Sequence, residues 1–331
     1  MSGQVMAGEN KILFVTNTRI GDAVLSTGLL SYLMERHSDA TITVVCGAPA
    51  VPLFECVPNL NQLLVVQKKR LKLHWLELWA KCFRTRWNTI VDLRGSALAW
   101  FLAAEVRETK HIKNSSMHRV EELAGVLDLD YPPAPRIWSA AQHEEEAMRL
   151  IPTGNPVLML GPTTNWPAKE WKIEHFISLV QTLTASNGVF PGARIAVLGA
   201  NNERTRALPL FDALPADRLI DLFGLGLLAS YECIRRCVMF IGNDSGLMHL
   251  SAASGVPTLG LFGPTQDRCY RPWGDHTAIV RTQESFDELV HAPDFDHRTT
   301  GTLMDGLSVD AVANAANGLW RRTHHVTERS T

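Results

Sequence analysis

Several stretches of this chain place side chains able to do chemistry at spacings that let them act together. The first reads Thr16-Asn17-Thr18-Arg19-Ile20-Gly21-Asp22. Gly21 permits a tight turn, and Asp22 opens the run DAVLSTGLLSYL. An Asp there serves as a helix N-cap that satisfies free backbone N–H groups. It equally suits a general base held at a substrate cleft. The second stretch runs from Gly161 to Trp171, GPTTNWPAKEW. Thr163, Thr164 and Lys169, with the start of the next helix, offer donors to phosphate oxygens. The plainer alternative is a surface lysine between two packing tryptophans, Trp166 and Trp171. Two prolines and two tryptophans make this loop better at fixing a side chain than at flexing.

A third stretch, Gly242-Asn243-Asp244-Ser245-Gly246-Leu247-Met248-His249, ends one apolar run and opens a helical one. Asp244 or Ser245 can act simply as the N-cap. A serine hydroxyl beside a glycine at a helix start is also a natural diphosphate seat. His249 follows one helical turn after Ser245, and Gly263-Pro264-Thr265 lies beside the same sheet edge. A fourth stretch, Gly224-Leu225-Gly226-Leu227-Leu228-Ala229, matches the G-x-G-x-x-G/A dinucleotide fingerprint, with Asp244 standing 20 residues beyond its first glycine. This is the case for a nicotinamide-dependent oxidoreductase. Against it, the fingerprint falls in the middle of its β/α series, and Asp244 belongs to a denser motif of its own. Finally, Lys68, Lys69, Arg70 and Lys72 form a basic cluster, to which His118 and Arg119 can add. It reads as a solvated run or as a surface for an acceptor bearing phosphates or carboxylates.

Short apolar runs alternate with amphipathic stretches and must position these groups. Strands are expected at 11–17, 41–46, 62–67 and 89–94, then at 157–162, 194–200, 219–223, 238–243 and 258–263. Helical patterns cover 22–37, 73–86, 96–106, 117–127, 172–186, 203–213, 227–237, 246–254 and 308–322, with a disordered tail after them. Strands apolar throughout, each followed by a helix, imply parallel sheets covered on both faces. The YPPAP segment at 131–135 divides two such series. Ligands of open parallel sheets bind beyond the carboxyl ends of the strands, where the candidate loops fall.

Composition narrows the classes. A length of 331 residues suits two domains of about 150 residues. A formal net charge of −2 excludes a globally basic nucleic-acid binder. The six cysteines form no C-x-x-C pair and read as buried reduced thiols. No run reaches 18 apolar residues, so the expectation is a cytoplasmic protein, at most peripheral on a membrane.

Taken in order, KILFVTNTRIGDAVLSTGLL, VDLRGS, MHRVEELAGVL, GPTTNWPAKEW and FIGNDSGLMHLSAASGVPTLGLFGPT resemble the glycosyltransferase family 9 heptosyltransferases over nearly the whole chain. The resemblance implies a GT-B fold: α/β, with two Rossmann-like β/α/β domains facing across a cleft. Residues 1–150 would bind the acceptor and 151–307 the nucleotide sugar, while a helix at 308–323 would pack back on the N-terminal domain. It implies Asp22 as catalytic base and Thr163, Thr164 and Lys169 near the donor phosphates, Lys169 sharing in catalysis. Asp244 would hold the donor sugar, with Ser245, Gly246 and His249 at the diphosphate. Lys68, Lys69, Arg70 and Arg119 would meet the acceptor. The implied reaction inverts the anomeric centre, uses ADP-heptose as donor and needs neither metal nor cofactor. Partners would be the donor and an anionic lipopolysaccharide acceptor, with peripheral contact at the inner membrane and no nucleic acid. A non-catalytic sugar-nucleotide binder is a third reading, but such a protein needs no base at Asp22. DFDHRTTGTLMDGL lacks the cysteine many members carry there, and GLGLLASYEC offers no clear ribose-binding acid.

Overall fold

The computed structural model describes residues 10–67, 74–109, 116–292, 295–296 and 299–327, and the chain divides into two units, 1–138 and 139–331. In the first unit β1 (Lys11–Val15), α1 (Ile20–Arg36), β2 (Thr41–Gly47), β3 (Leu60–Val66), α2 (His74–Cys82), β4 (Trp87–Asp92), β5 (Ala104–Thr109) and α3 (Arg119–Ala124) follow one another. The strands form one parallel sheet in the order β3-β2-β1-β4-β5. Its central strand β1 pairs with β2 and β4 at once, and Ile12 to Val15 are essentially sealed from solvent. A strand buried on both faces has no use for alternation, hence the unbroken apolar run.

Two expectations for this unit are corrected. The helix expected at 96–106 is a 3-10 turn (Ala97–Phe101) followed by the edge strand β5. The free edge of β4 recruits β5, pairing Trp87 with Ala104 and Asp92 with Thr109, and the Arg107 guanidinium donates to the carbonyls of Ala99, Leu102 and Ala104. Second, α1 begins at Ile20 with Arg19 as N-cap, so Asp22 sits in the first turn and is not the cap. The Pro-rich segment packs against α1. A Cβ on Gly28 of α1 would stand 2.2 Å from the Pro133 carbonyl oxygen, and the Arg136 N–H donates to the Thr27 hydroxyl at 3.0 Å. The first unit runs to Trp138.

The second unit contains α4 (Ala141–Leu150), β6 (Val157–Gly161), α5 (Ile173–Thr184), β7 (Arg194–Val197), α6 (Leu208–Ala213), β8 (Leu219–Asp221), α7 (Leu227–Arg235), β9 (Met239–Asn243), α8 (Gly246–Ser254), β10 (Thr258–Phe262), α9 (Asp267–Tyr270), β11 (Thr277–Arg281), α10 (Phe286–Val290) and α11 (Val309–Thr327). Its parallel sheet has the order β11-β10-β9-β6-β7-β8. Helix α4 packs on α7, which is why residues 139–150 go with this unit. Strand β11 was not anticipated. Its residues are half-buried throughout and carry no strong apolar run.

The C-terminal helix packs on its own unit. Val312, Ala313, Ala316 and Leu319 join Trp171, Leu183 and Phe190 in one core, and the Arg322 guanidinium donates to the Thr277 carbonyl at 2.7 Å. The helix continues to Thr327, into the segment expected to be disordered. Relative to the first strand of each unit, both sheets are wound outward in two directions. Strand order thus reverses between β1 and β4, and again between β6 and β9.

Candidate active site

At the second reversal point, the loops after β6 and β9 meet. Asn243, fully buried at the end of β9, accepts the Trp171 N–H at 3.1 Å and donates to the Pro162 carbonyl at 2.7 Å. One amide side chain thus staples the two loops. On that frame the Lys169 ammonium stands 3.1 Å from an Asp244 carboxylate oxygen, with the side chains 16% and 9% exposed. Lys169 ends a 3-10 turn (Pro167–Lys169), whose Ala168 carbonyl accepts the Leu303 N–H. Trp171 is the packing residue of the plainer reading, 1% exposed, with its indole N–H on the Leu307 carbonyl.

The two threonines of this loop are committed to its scaffold. The Thr163 hydroxyl donates to Glu203 at 2.8 Å, and the Thr164 hydroxyl donates to the Trp166 carbonyl at 2.7 Å. With its proton spent, a hydroxyl offers only lone pairs, which a phosphate oxygen cannot use. A carboxylate clamp that the sequence did not reveal holds the loop from below. Glu170 accepts the Thr164 N–H at 2.7 Å and pairs with Arg206 at 2.8 Å, while Arg206 also reaches the Thr164 carbonyl and Glu203. Burial pushes the Glu170 carboxyl above its usual range, against the lowering pull of the Thr164 N–H and Arg206. No local motif announces Glu203 or Arg206, because their partners lie about 40 positions away.

Immediately after Asp244, Ser245 is the N-cap of α8, whose first-turn N–H groups and dipole favour an anion. The Ser245 hydroxyl caps no backbone group in this structure; it and the Thr265 hydroxyl are buried without a hydrogen-bond partner. Unsatisfied buried hydroxyls are costly, so both are available to bond a group that enters beside them. They stand at the carboxyl ends of adjacent strands, β9 and β10. His249, one turn into α8, is 4% exposed.

In the first unit the reversal point carries Asp22 after β1 and Asp92 at the end of β4. Asp22 is partly exposed in the first turn of α1. Asp92 is fully buried and holds its own loop by accepting the N–H groups of Arg94 and Ser96, at 2.9 and 2.8 Å, and the Ser96 hydroxyl. Burial raises its pKa, while those bonds and Arg94 lower it in part. Lys68, Lys69 and Arg70 lie outside the described residues. Arg119 is largely engaged, in an ion pair with Glu122 one turn along α3.

The dinucleotide fingerprint occupies the turn from β8 to α7, with Gly224 at a φ of +80° and Gly226 as N-cap. β8 is the outermost strand of its sheet, remote in strand order from the reversal point, and Asp244 is already paired with Lys169. Among the described residues no three His, Cys, Asp or Glu side chains gather as a metal site, and all six cysteines are free. No helix there is long and apolar enough to cross a membrane.

Two Rossmann-type parallel sheets, the second with a lysine, an unbonded serine hydroxyl and a helix start at its reversal point, define an α/β architecture of the GT-B class. The family model for glycosyltransferase family 9 (heptosyltransferase) matches residues 91–297, and the chain belongs to that family. It is 22% identical over 312 residues to lipooligosaccharide heptosyltransferase 2 of Haemophilus influenzae, covering 82% of this chain and 89% of that one. Its fold is that of a family 9 glycosyltransferase from Veillonella parvula, with a TM-score of 0.78 and 19% identity over 95% of this chain and 98% of the other. It also matches the ADP-heptose lipopolysaccharide heptosyltransferase II of E. coli, with a TM-score of 0.73 and 18% identity over 95% and 99%. The oxidoreductase and the binding-only readings are set aside.

Proposed function

We propose that the protein transfers a heptose from ADP-heptose to the inner core of lipopolysaccharide, an anionic glycolipid, with inversion at the anomeric carbon. The observation that carries this reading is the Lys169–Asp244 pair standing at the start of α8, where a diphosphate gains both a cation and free N–H groups. Ser245, Gly246 and His249 complete the donor seat, Asp244 turns to the sugar hydroxyls, and Thr163 and Thr164 act by shaping the loop that carries Lys169. Lys68, Lys69, Arg70 and Arg119 are the acceptor contacts.

Asp22 accepts the proton of an acceptor hydroxyl as that oxygen attacks the anomeric carbon. The bond from that carbon to the diphosphate oxygen breaks on the opposite face. Negative charge then grows on the leaving ADP, where Lys169 and the α8 N–H groups stabilise it more strongly than in the ground state. Since these groups are positive already, the mechanism calls for no metal. On this reading the reaction runs in the cytoplasm, at the face of the membrane that presents the acceptor.

The test is transfer to a heptose-deficient core acceptor, read by mass spectrometry with and without EDTA. Addition of one heptose from ADP-heptose, undiminished by chelator, is expected. Transfer only from a UDP- or GDP-sugar would overturn the donor assignment, and loss of turnover in EDTA would overturn the metal-free mechanism.

A further inference from the structure

The first unit exposes a block of aromatic surface that its core does not use. Helix α2 turns His74, Leu78 and Cys82 inward, one turn apart. Its opposite face carries a second apolar stripe, with Leu76 63%, Trp79 38% and Phe83 40% exposed just beyond the helix end. The neighbouring 3-10 turn extends the block with Trp100 and Phe101, 65% and 72% exposed. These residues are joined: the Trp79 indole N–H donates to the Phe101 carbonyl at 2.9 Å, and its ring stacks on Phe83 at 4.6 Å. The Arg84 guanidinium lies 5.4 Å from the Phe83 ring centre.

Positive charge is concentrated in the same stretch of sequence. Residues 68–86 hold seven Lys or Arg against a single Glu, in a chain whose acidic residues otherwise predominate. At the rim Lys81 and Arg84 are exposed, while Arg86 faces Glu105 at 3.7 Å. Aromatic rings set among cations fit a boundary between apolar and aqueous phases, where Trp and Phe enter the acyl edge and Lys and Arg meet anionic headgroups. A second copy of the chain fits poorly. An isologous contact would set Lys81 and Arg84 against the same cations of the partner copy.

We infer that the outer face of α2 and the Ala97–Phe101 turn form a docking surface for an anionic phospholipid bilayer. The inference takes the acceptor's membrane setting from the proposed function, and the patch itself supplies where and how the protein would meet that membrane.

The test is flotation of the full chain with phosphatidylcholine vesicles, with and without phosphatidylglycerol. Binding should require phosphatidylglycerol and weaken as salt is raised. Trp100→Ser with Phe101→Ser should reduce binding about tenfold or more, since each removes a large apolar side chain from the acyl edge. Lys81→Glu with Arg84→Glu should weaken it at about fivefold per lost cation. Melting temperatures should hold, as all four side chains are exposed, and transfer to a delipidated, water-soluble core acceptor should be unchanged. Equal flotation of wild type and variants, or no flotation of the wild type, overturns the docking surface. So does a wild-type dimer in sedimentation that Trp100→Ser dissociates, because the patch would then be a self-interface. If no protein transfers heptose to the soluble acceptor while flotation behaves as stated, the proposed function fails and the docking surface stands.

Discussion

The Lys169 ammonium lies 3.1 Å from an Asp244 carboxylate oxygen although 75 positions separate the two residues. Lys169 comes from the loop after β6 and Asp244 from the end of β9, strands that pair in the middle of their sheet. Asn243 holds both loops, so the distance is fixed by strand order and one buried amide rather than by chain proximity. In the absence of donor, Asp244 keeps the lysine aimed and compensated.

Replacing Lys169 with Ala should weaken ADP binding and turnover together. A charge-assisted bond contributes about 1.5–3 kcal/mol, so ADP affinity should fall by about 10- to 100-fold, read by titration calorimetry. The melting temperature should also drop, because Asp244 is left nearly buried without its partner. Lys169→Ala combined with Asp244→Asn should recover part of that stability but none of the affinity. Unchanged ADP affinity in Lys169→Ala would remove the residue from the donor seat.

Asp22→Asn should separate chemistry from binding. The substitution keeps shape and removes a first-turn charge, whose helix-dipole interaction is about 0.3–1 kcal/mol. Turnover should fall about 10²- to 10⁴-fold, the usual contribution of a positioned base, while ADP affinity stays as in the wild type. A near-normal kcat would assign Asp22 to the helix terminus alone and move the base elsewhere.

Glu170 should leave a mark on the pH dependence of stability. Burial holds its folded pKa above the ordinary 4.5. Its contribution is therefore fully present below about that pH and is lost as pH rises through the higher folded value. Glu170→Gln keeps an acceptor for the Thr164 N–H but carries no proton to lose. The melting temperature of Glu170→Gln relative to wild type should accordingly become more favourable between pH 4 and pH 7. A relative loss over the same range would show that Arg206 outweighs burial.

Gly28→Ala should damage the first unit specifically. The added methyl would meet the backbone carbonyls of Pro133 and Ala134 at 2.2 and 2.6 Å, which no side-chain rotation relieves. We expect a loss of about 1–3 kcal/mol, the range for overpacking, seen as a lower melting temperature. ADP affinity, seated in the second unit, should survive in the folded protein. An unaltered melting temperature would mean that the Pro-rich segment does not rest on α1.

Most of the architecture was legible along the chain because its cause is local. β1, β6, β9 and β10 are buried on both faces and so read as unbroken apolar runs, each leading directly into a candidate loop. The motif order from Asp22 to Thr265 also carried the family resemblance that the match over 91–297 shows. Strands β5 and β11, at sheet edges, carry no such signal. The pairing of β5 depends on the exposed side of β4, and the preceding ALAWF favours a helical turn by itself. Tertiary structure alone decided that α4 and α11 belong to the second unit. It also placed Asp22 after the cap of α1, turned the Thr163 and Thr164 hydroxyls inward, and set Lys169 against Asp244. For α4, α11, Thr163 and the Lys169–Asp244 pair the partners are separated by tens of residues and meet only once the sheet is assembled. A local pattern records which face of an element is apolar; it does not record which distant group will lie against it.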